Sequence, residues 1–181
     1  MNFEALIQQR QSVRKYSAKP VEKEKLMKCI EAARLAPSAS NAQPWTFIVV
    51  DDTQLLSLIA KETRGPLGTF NNFVASVPVL LVMVLEKPTL LSEMGGRLKK
   101  KEYPLIDIGI AAEHFCLQAA ELGLGTCMIG WFNEKDILSL LKIPDDKTIG
   151  LIVSLGYAPD GYPLRKKARK SLVSILRWNA Y

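Results

Sequence analysis

A single histidine, His114, serves all 181 residues. That scarcity removes most routes to imidazole chemistry. No second histidine and no cysteine pair stands at metal-ligand spacing, and a Ser–His or Cys–His pair has one imidazole to draw on. The three cysteines, Cys29, Cys116 and Cys127, form no C-x-x-C, which fits reduced thiols in a cytoplasmic protein better than a disulfide framework. Long hydrophobic runs are missing too. The longest, Val77 to Leu85, contains Pro78 and falls far short of the ~20 residues of a membrane span. The opening stretch, MNFEALIQQR, has no apolar signal core. G-x-S-x-G, H-E-x-x-H and the P-loop are absent, and the carboxylates fall in no convincing pair. If the chain is an enzyme, an organic cofactor is the economical source of its chemistry. No side chain is assigned a catalytic role and no metal is expected.

What is present is a chain with 48% hydrophobic residues and a net charge of +6, enough for one domain with a sizeable core. The positive balance suits phosphate-bearing partners. The basic clusters, Lys99-Lys100-Lys101 and Arg165 to Lys170, are not interleaved with aromatics as in a single-strand nucleic-acid binder, so nucleic acid is not expected.

The chain is organised around Ile106 to Gly123, IDIGIAAEHFCLQAAELG. At roughly 100° per residue, Asp107, His114, Gln118 and Glu121 form one narrow polar stripe. Gly109, Ala112, Cys116, Ala119, Ala120 and Gly123 gather opposite. The pattern predicts a helix buried on most of its circumference, either within the protomer core or as the seam of a homodimer.

Around it, Asn2 caps a helix to about Gln11, and Glu22 to Leu35 forms a second, with Leu26, Ile30, Ala33 and Ala36 inward. Trp45–Val50 reads as a buried strand. Asp51-Asp52-Thr53 caps a third helix to about Glu62, and Val79–Leu85 is a strand buried on both faces. Glu86–Pro104 reads as an exposed excursion with a short helix near Leu90–Met94. Gly125–Trp131 is a strand, and Asn133 caps a short helix to Leu141. Thr148–Tyr157 is a strand with Ile149, Leu151, Val153 and Leu155 alternating. The domain proper is 1–160. Residues 161–181 form a basic tail whose apolar end predicts docking, as an edge strand or across a partner subunit.

Two stretches invite a ligand. Arg10, Ser12 and Arg14 cluster where a helix meets extended chain, a set that can fork onto phosphate oxygens. Ser38 to Trp45 is a polar loop fenced by Pro37 and Pro44, longer than a plain helix-to-strand connection requires.

These pieces also carry a resemblance. Arg10-Gln11-Ser12-Val13-Arg14, then Ala36-Pro37-Ser38-Ala39-Ser40-Asn41-Ala42-Gln43-Pro44-Trp45, then Phe70-Asn71, the helix ending Glu121-Leu122-Gly123-Leu124-Gly125-Thr126, Gly130-Trp131-Phe132 and Lys167-Ala168-Arg169 come in the order of the FMN-dependent nitroreductase family. The chain resembles that family from about Phe3 to Arg169. The resemblance implies an α+β fold: a three-layer sandwich with a central mixed sheet flanked by helices, and the long buried helix at a homodimer seam. It implies FMN as cofactor and NAD(P)H as co-substrate. By analogy, Arg10, Ser12, Lys167 and Arg169 hold the phosphate, with Gln11 beside them, and Arg14 sits by the pyrimidine end of the ring. Pro37, Ser38 and Ser40, with Ala39 and Asn41, cover the ring from the other subunit. Asn71, or its neighbour Asn72, bonds the ribityl or ring edge, and Ile129 and Gly130 present backbone near the hydride-accepting nitrogen. The implied reaction is a two-step exchange, from NAD(P)H through FMN to a nitro compound, quinone or similar acceptor. Acceptor choice lies with Thr63–Phe73 and Glu86–Tyr103. Some relatives instead remove halogens, desaturate peptides or fragment the flavin. A basic anion-binding module without catalysis is the reading from another class. One departure is that Arg14 stands where some members have Lys, which keeps the charge.

Overall fold

The computed structural model describes residues 1–65, 68–87 and 101–181. The expected helix near Leu90–Met94 and most of the lysine run lie outside the described residues.

The elements run α1 (Phe3–Gln9), α2 (Lys23–Arg34), β1 (Trp45–Val50), α3 (Thr53–Glu62), β2 (Val79–Leu85), α4 (Tyr103–Glu121), β3 (Gly125–Ile129), α5 (Glu134–Leu140), β4 (Thr148–Gly156) and α6 (Leu172–Ile175), with 3₁₀ turns at Ala39–Asn41 and Asn72–Ser76. The local signals act as expected at two starts. Asn2 Oδ1 accepts from Ala5 N–H at 2.8 Å, and Asp52 Oδ1 accepts from Leu55 N–H at 2.8 Å, each satisfying a donor the first helical turn leaves free. α1 stops at Gln9, two residues earlier than expected, because Arg10 leaves helical geometry at ψ 123°.

The strands form one sheet in the order β1-β2-β4-β3. All of its ladders are antiparallel. The parallel component of the expected mixed sheet is a lone bridge between Ser12 and Thr126. β2 lies inside the sheet and sorts its side chains by parity. Leu80, Val82 and Val84 face a layer with Leu56 and Ile59 of α3 and Ile137 of α5. Val79, Leu81 and Met83 face Leu26 and Cys29 of α2 and Ile108, Ala112 and Phe115 of α4. The result is the expected three-layer α+β sandwich.

The expected alternation in β4 breaks at Gly150. Met83 pairs with Leu151 and Val84 with Ile149, so Gly150 bulges out of register. Ile149 therefore joins Ile152 in the α3/α5 layer, not Val153 and Leu155. A Cβ at Gly150 would stand 2.8 Å from Ile108 Cδ1, so the bulge lets α4 lie close. β1, at the sheet's edge, is half-buried and not fully buried as expected.

α4 is the long helix foreseen, but its buried face is rotated from the expected one. Ile108, Ala111, Ala112, Phe115, Cys116 and Ala119 are buried, and so is Asp107 of the polar stripe. Gly109 and Gly123 are exposed. Leu105 and Ile106 of α4 are 47% and 53% exposed, and Phe3 and Ile7 of α1, which packs on α4, are 66% and 38% exposed. The tail forms no edge strand, and its other expected placement, across a partner subunit, concerns a second copy. Its end is a short helix, α6, and it stands in solvent, with Val173 at 83% and Trp178 at 80% exposure.

Candidate functional site

The two termini meet. Past α1 the chain turns extended, and Val13 N–H donates to Thr126 O at 2.8 Å, seating residues 12–14 beside β3. Tyr16 secures the same peptide from below: its hydroxyl donates to Val13 O at 2.9 Å and lies 2.7 Å from Ser154 Oγ, while Ser154 Oγ donates to Cys127 O at 3.2 Å. Ser12 and Arg14, flanking the buried Val13, are thereby turned outward. The tail is stapled on top. Gln11 Nε2 donates to Pro163 O at 3.0 Å, and its Oε1 accepts from Arg165 N–H at 3.0 Å. Arg14 N–H donates to the Tyr162 hydroxyl at 3.1 Å. Arg165 Nη2 donates to Ser12 O, and Lys167 Nζ to Arg10 O.

These contacts enclose a crevice of ≈ 270 Å³ lined by residues 10–12, Arg14 and residues 165–169. Of the residues singled out for a phosphate, Arg10, Ser12, Arg14, Lys167 and Arg169 all line it, with Gln11 beside them. Its charge is lopsided. The side-chain carboxylate paired with this group is Glu113, 3.2 Å from Arg10 Nε. Burial, then the nearby Arg10 and Arg169 cations, hold the Lys167 ammonium below its usual pKa range. An ammonium disfavoured by neighbouring cations is what an anion site holds ready for its anion. Sequence reasoning left Arg165 and Tyr162 out of the site. The basic run at Arg165–Lys170 was the available signal for the first, and nothing local marked the second.

A second cavity, ≈ 230 Å³, lies at the far end of β3, lined by Phe70, Asn71, Met128, Ile129, Gly130 and Trp131. β3, Gly125–Ile129, spaces its two ends by about 14 Å, at ~3.4 Å per residue. Asn71 lies in the left-handed region at φ 52°, a conformation asparagine tolerates better than most residues. Both its amide hydrogens are used, donating to Thr63 O at 3.1 Å and Trp131 O at 3.2 Å, so Oδ1 is the group left to offer a ligand. Asn72 is exposed and donates to Thr69 O at 3.4 Å. Of the two asparagines, Asn71 is the one that lines the cavity. Phe70 and Trp131, both within the motif pieces named from the sequence, form an exposed aromatic pair at its rim, ring centroids 6.1 Å apart.

Pro37, Ser38, Ala39, Ser40 and Asn41 line neither cavity. Within one protomer the structure does not bring them to the cationic crevice. Their loop is held to α4 where Ala39 N–H donates to Asp107 Oδ1 at 3.1 Å. A larger cavity, ≈ 560 Å³, shares Arg10 and Gln11 with the crevice and runs between α1 and the start of β3.

The three thiols are free and buried. Burial pushes Cys29 and Cys116 up to about 12, which leaves neither a ready nucleophile. Among the described residues no group of His, Cys, Asp and Glu could hold a metal ion, and no helix is long and apolar enough to cross a membrane.

Layer order, with a cationic crevice and a second cavity at the two ends of β3, suits an elongated ligand with an anionic end. The chain belongs to the nitroreductase family, whose sequence pattern it matches over residues 7–157. It is 31% identical over 161 residues to an Archaeoglobus fulgidus protein named as an NADH dehydrogenase/NAD(P)H nitroreductase, spanning 86% of this chain and 84% of the relative. An iodotyrosine deiodinase of Thermotoga neapolitana is 24% identical, covering 97% of each chain. Among solved structures, an FMN-dependent nitroreductase from Clostridium difficile superposes with a TM-score of 0.78 at 31% identity, covering 99% of this chain and 100% of the other. A nitroreductase family protein from Clostridium novyi gives 0.76 at 33%, covering 88% and 87%.

Proposed function

We propose that the protein is an FMN-dependent NAD(P)H oxidoreductase of nitroreductase type that works as a homodimer. The observation carrying this reading is the convergence of Arg10, Ser12, Arg165, Lys167 and Arg169, drawn from both termini, on one crevice with a surplus of positive charge. The residues fit the group. Guanidinium forks and a hydroxyl suit a dianionic phosphate monoester, and the Asn71 Oδ1 acceptor and the Gly130 backbone suit the polar edge of a planar heterocycle.

Bound there, FMN supplies the two-electron chemistry, between NAD(P)H and a nitro compound, quinone or similar acceptor. The protein's own residues bind and orient it. Arg10, Ser12, Lys167 and Arg169, with Gln11 bracing the tail, hold the phosphate. Arg14 places a fixed cation where a reduced ring gathers negative charge, which lowers the energy of that form. Asn71 fixes the ring edge, and Ile129 and Gly130 form the wall of the reacting pocket. Thr63–Phe73 and Glu86–Tyr103 select the acceptor.

What one protomer leaves uncovered supports the dimer. Phe3 and Ile7 of α1 and Leu105 and Ile106 of α4 leave large apolar side chains exposed, and the exposed apolar tail end at 161–181 needs a surface that its own domain, 1–160, does not give it. Pro37, Ser38, Ala39, Ser40 and Asn41 then reach the ring from the neighbouring copy. The deiodinase relatives support a second reading, reductive removal of a halogen at the same site. Purified protein should be yellow, release FMN on heating, and be bleached by NADH or NADPH. A colourless protein that NAD(P)H cannot bleach after FMN is added overturns the proposal. Turnover of a halotyrosine far above that of menadione or nitrofurazone favours the second reading over the first.

A further inference from the structure

The loop joining α2 to β1 is built under strain. Ser40, Asn41 and Gln43 all lie at positive φ, 52°, 52° and 46°. None is glycine, and each such residue is held in a sparsely populated conformation that persists only where surroundings over-determine it. Much of the bracing is internal. Asn41 N–H donates to Ser38 O at 3.0 Å, Gln43 N–H to Ser38 Oγ at 2.9 Å, and Gln43 Nε2 to Asn41 O and Oδ1 at 3.2 and 3.1 Å. These bonds give the loop a shape but fix it to nothing. Its bond to the helical layer comes from Asp107. That carboxylate is 3% exposed, Oδ1 accepts from Ala39 N–H at 3.1 Å, and Oδ2 is buried with no partner among the described residues. A carboxylate kept out of water with half of its bonding capacity unused is costly, and here its visible contact is with the loop. The sequence placed Asp107 on the narrow polar stripe of the helix, and the fold buries it.

We propose that Asp107 is the positioning residue of this loop: acting through the Ala39 amide, it locks Ser38–Gln43 to the central helix and so sets how the loop meets the acceptor. The second half rests on the reading above, in which this loop roofs the flavin of a neighbouring copy. The first half does not. Asp107 is buried but directly follows the exposed Leu105 and Ile106 on α4, so the tether also joins the helix end assigned to the dimer to the loop assigned to the active site.

The two halves are tested separately. In flavin-free protein, amide hydrogen exchange in peptides spanning 37–44 should rise about tenfold in Asp107→Ala, the scale of losing a bond to a charged group, while the interior of α4 keeps its protection. Asp107→Asn, which keeps the oxygen acceptor, should restore protection to within about twofold of wild type. If Asp107→Ala does not fold, Ala39→Pro removes the donor alone and should open the same peptides. Exchange at 37–44 unchanged in whichever variant folds overturns the tether. With FMN bound, loop release in Asp107→Ala should raise KM for menadione several-fold with kcat changed less, a split that loss of folded enzyme alone would not give. Exposed loop peptides with an unaltered KM overturn the link to the acceptor while leaving the tether standing. Protein that never takes up FMN overturns the functional reading without touching the exchange result.

Discussion

Lys167 Nζ donates to the carbonyl oxygen of Arg10, so a residue near the end of the chain closes the crevice that a residue near its beginning opens. Arg10 in turn leans on Glu113 of α4 at 3.2 Å, which fixes its guanidinium against the body of the fold. Arg10→Ala therefore removes a preorganised phosphate ligand. FMN binding should weaken by about 1.5–3 kcal/mol, the worth of a charge-assisted hydrogen bond. Fluorescence titration of released flavin measures it, and unchanged occupancy would show that the phosphate lies elsewhere.

The same pair gives a pH dependence. Burial and the neighbouring arginines hold the Lys167 ammonium below its ordinary range. An anion prefers the protonated form, so binding FMN takes up a proton once the free site has begun to lose it, and affinity falls as pH rises through the lowered Lys167 pKa. Lys167→Arg keeps a cation that does not titrate there. Its affinity should stay flat over the range where the native protein's falls. Parallel curves for the two proteins would remove Lys167 from the phosphate site.

Behind the crevice, packing is tight at one point. A Cβ at Gly125 would stand 2.6 Å from Val13 Cγ2, and Val13 carries the peptide between Ser12 and Arg14. Gly125→Ala should push that segment off β3. Overpacking of this kind destabilises by about 1–3 kcal/mol, read as a lowered Tm, and FMN affinity should drop with it. A variant of native stability that binds FMN normally would mean the segment gives way without consequence.

The thiols supply a prediction that needs no ligand. Cys29 and Cys116 rise to about 12 through burial, above the ~8.5 of an exposed thiol. Their protonated forms thus favour the folded state fully below that unfolded value, and the contribution is lost as pH climbs toward 12. Chemical-denaturation midpoints should fall between these limits, and Cys29→Ala with Cys116→Ala should flatten the fall. Native protein should also resist iodoacetamide at neutral pH. Rapid alkylation of either thiol before unfolding would contradict the burial.

What could be read ahead was what is decided locally. Asn2 and Asp52 cap their helices through bonds three residues away, and β2 announces its two-faced burial in an unbroken apolar run. The crevice was legible because arginine, serine and lysine in short strings keep their chemistry wherever the chain places them. Features set by other elements were not legible. Gly150, where the register shifts, has no room for a side chain because Ile108 of α4 lies against it. Asp107 falls on the polar stripe of a helical wheel, and the fold buries it beside the loop at Ala39. The last apolar residues read as docking, as an edge strand or across a partner subunit, and of the two the edge strand does not form: Leu172–Ile175 closes into a helical turn.

The rotation of α4 separates two substitutions that its sequence made equivalent. On the wheel Gly109 and Ala112 share one small-residue face, so leucine at either should overpack one seam. In the fold Ala112 is fully buried against the sheet, while a Cβ at Gly109 meets nothing within 4 Å. Ala112→Leu should therefore damage the protomer itself, lowering stability by about 1–3 kcal/mol or more. Gly109→Leu should leave the protomer folded. Gly109 follows the exposed Leu105 and Ile106 by one helical turn, within the patch proposed to meet a second copy, and a bulky side chain there holds the two surfaces apart. Light scattering should find a monomer with native circular dichroism for Gly109→Leu, and reduced flavin retention, because the neighbouring copy's loop is lost with it. A dimeric, flavin-bound Gly109→Leu protein would move the contact between copies away from this face of α4.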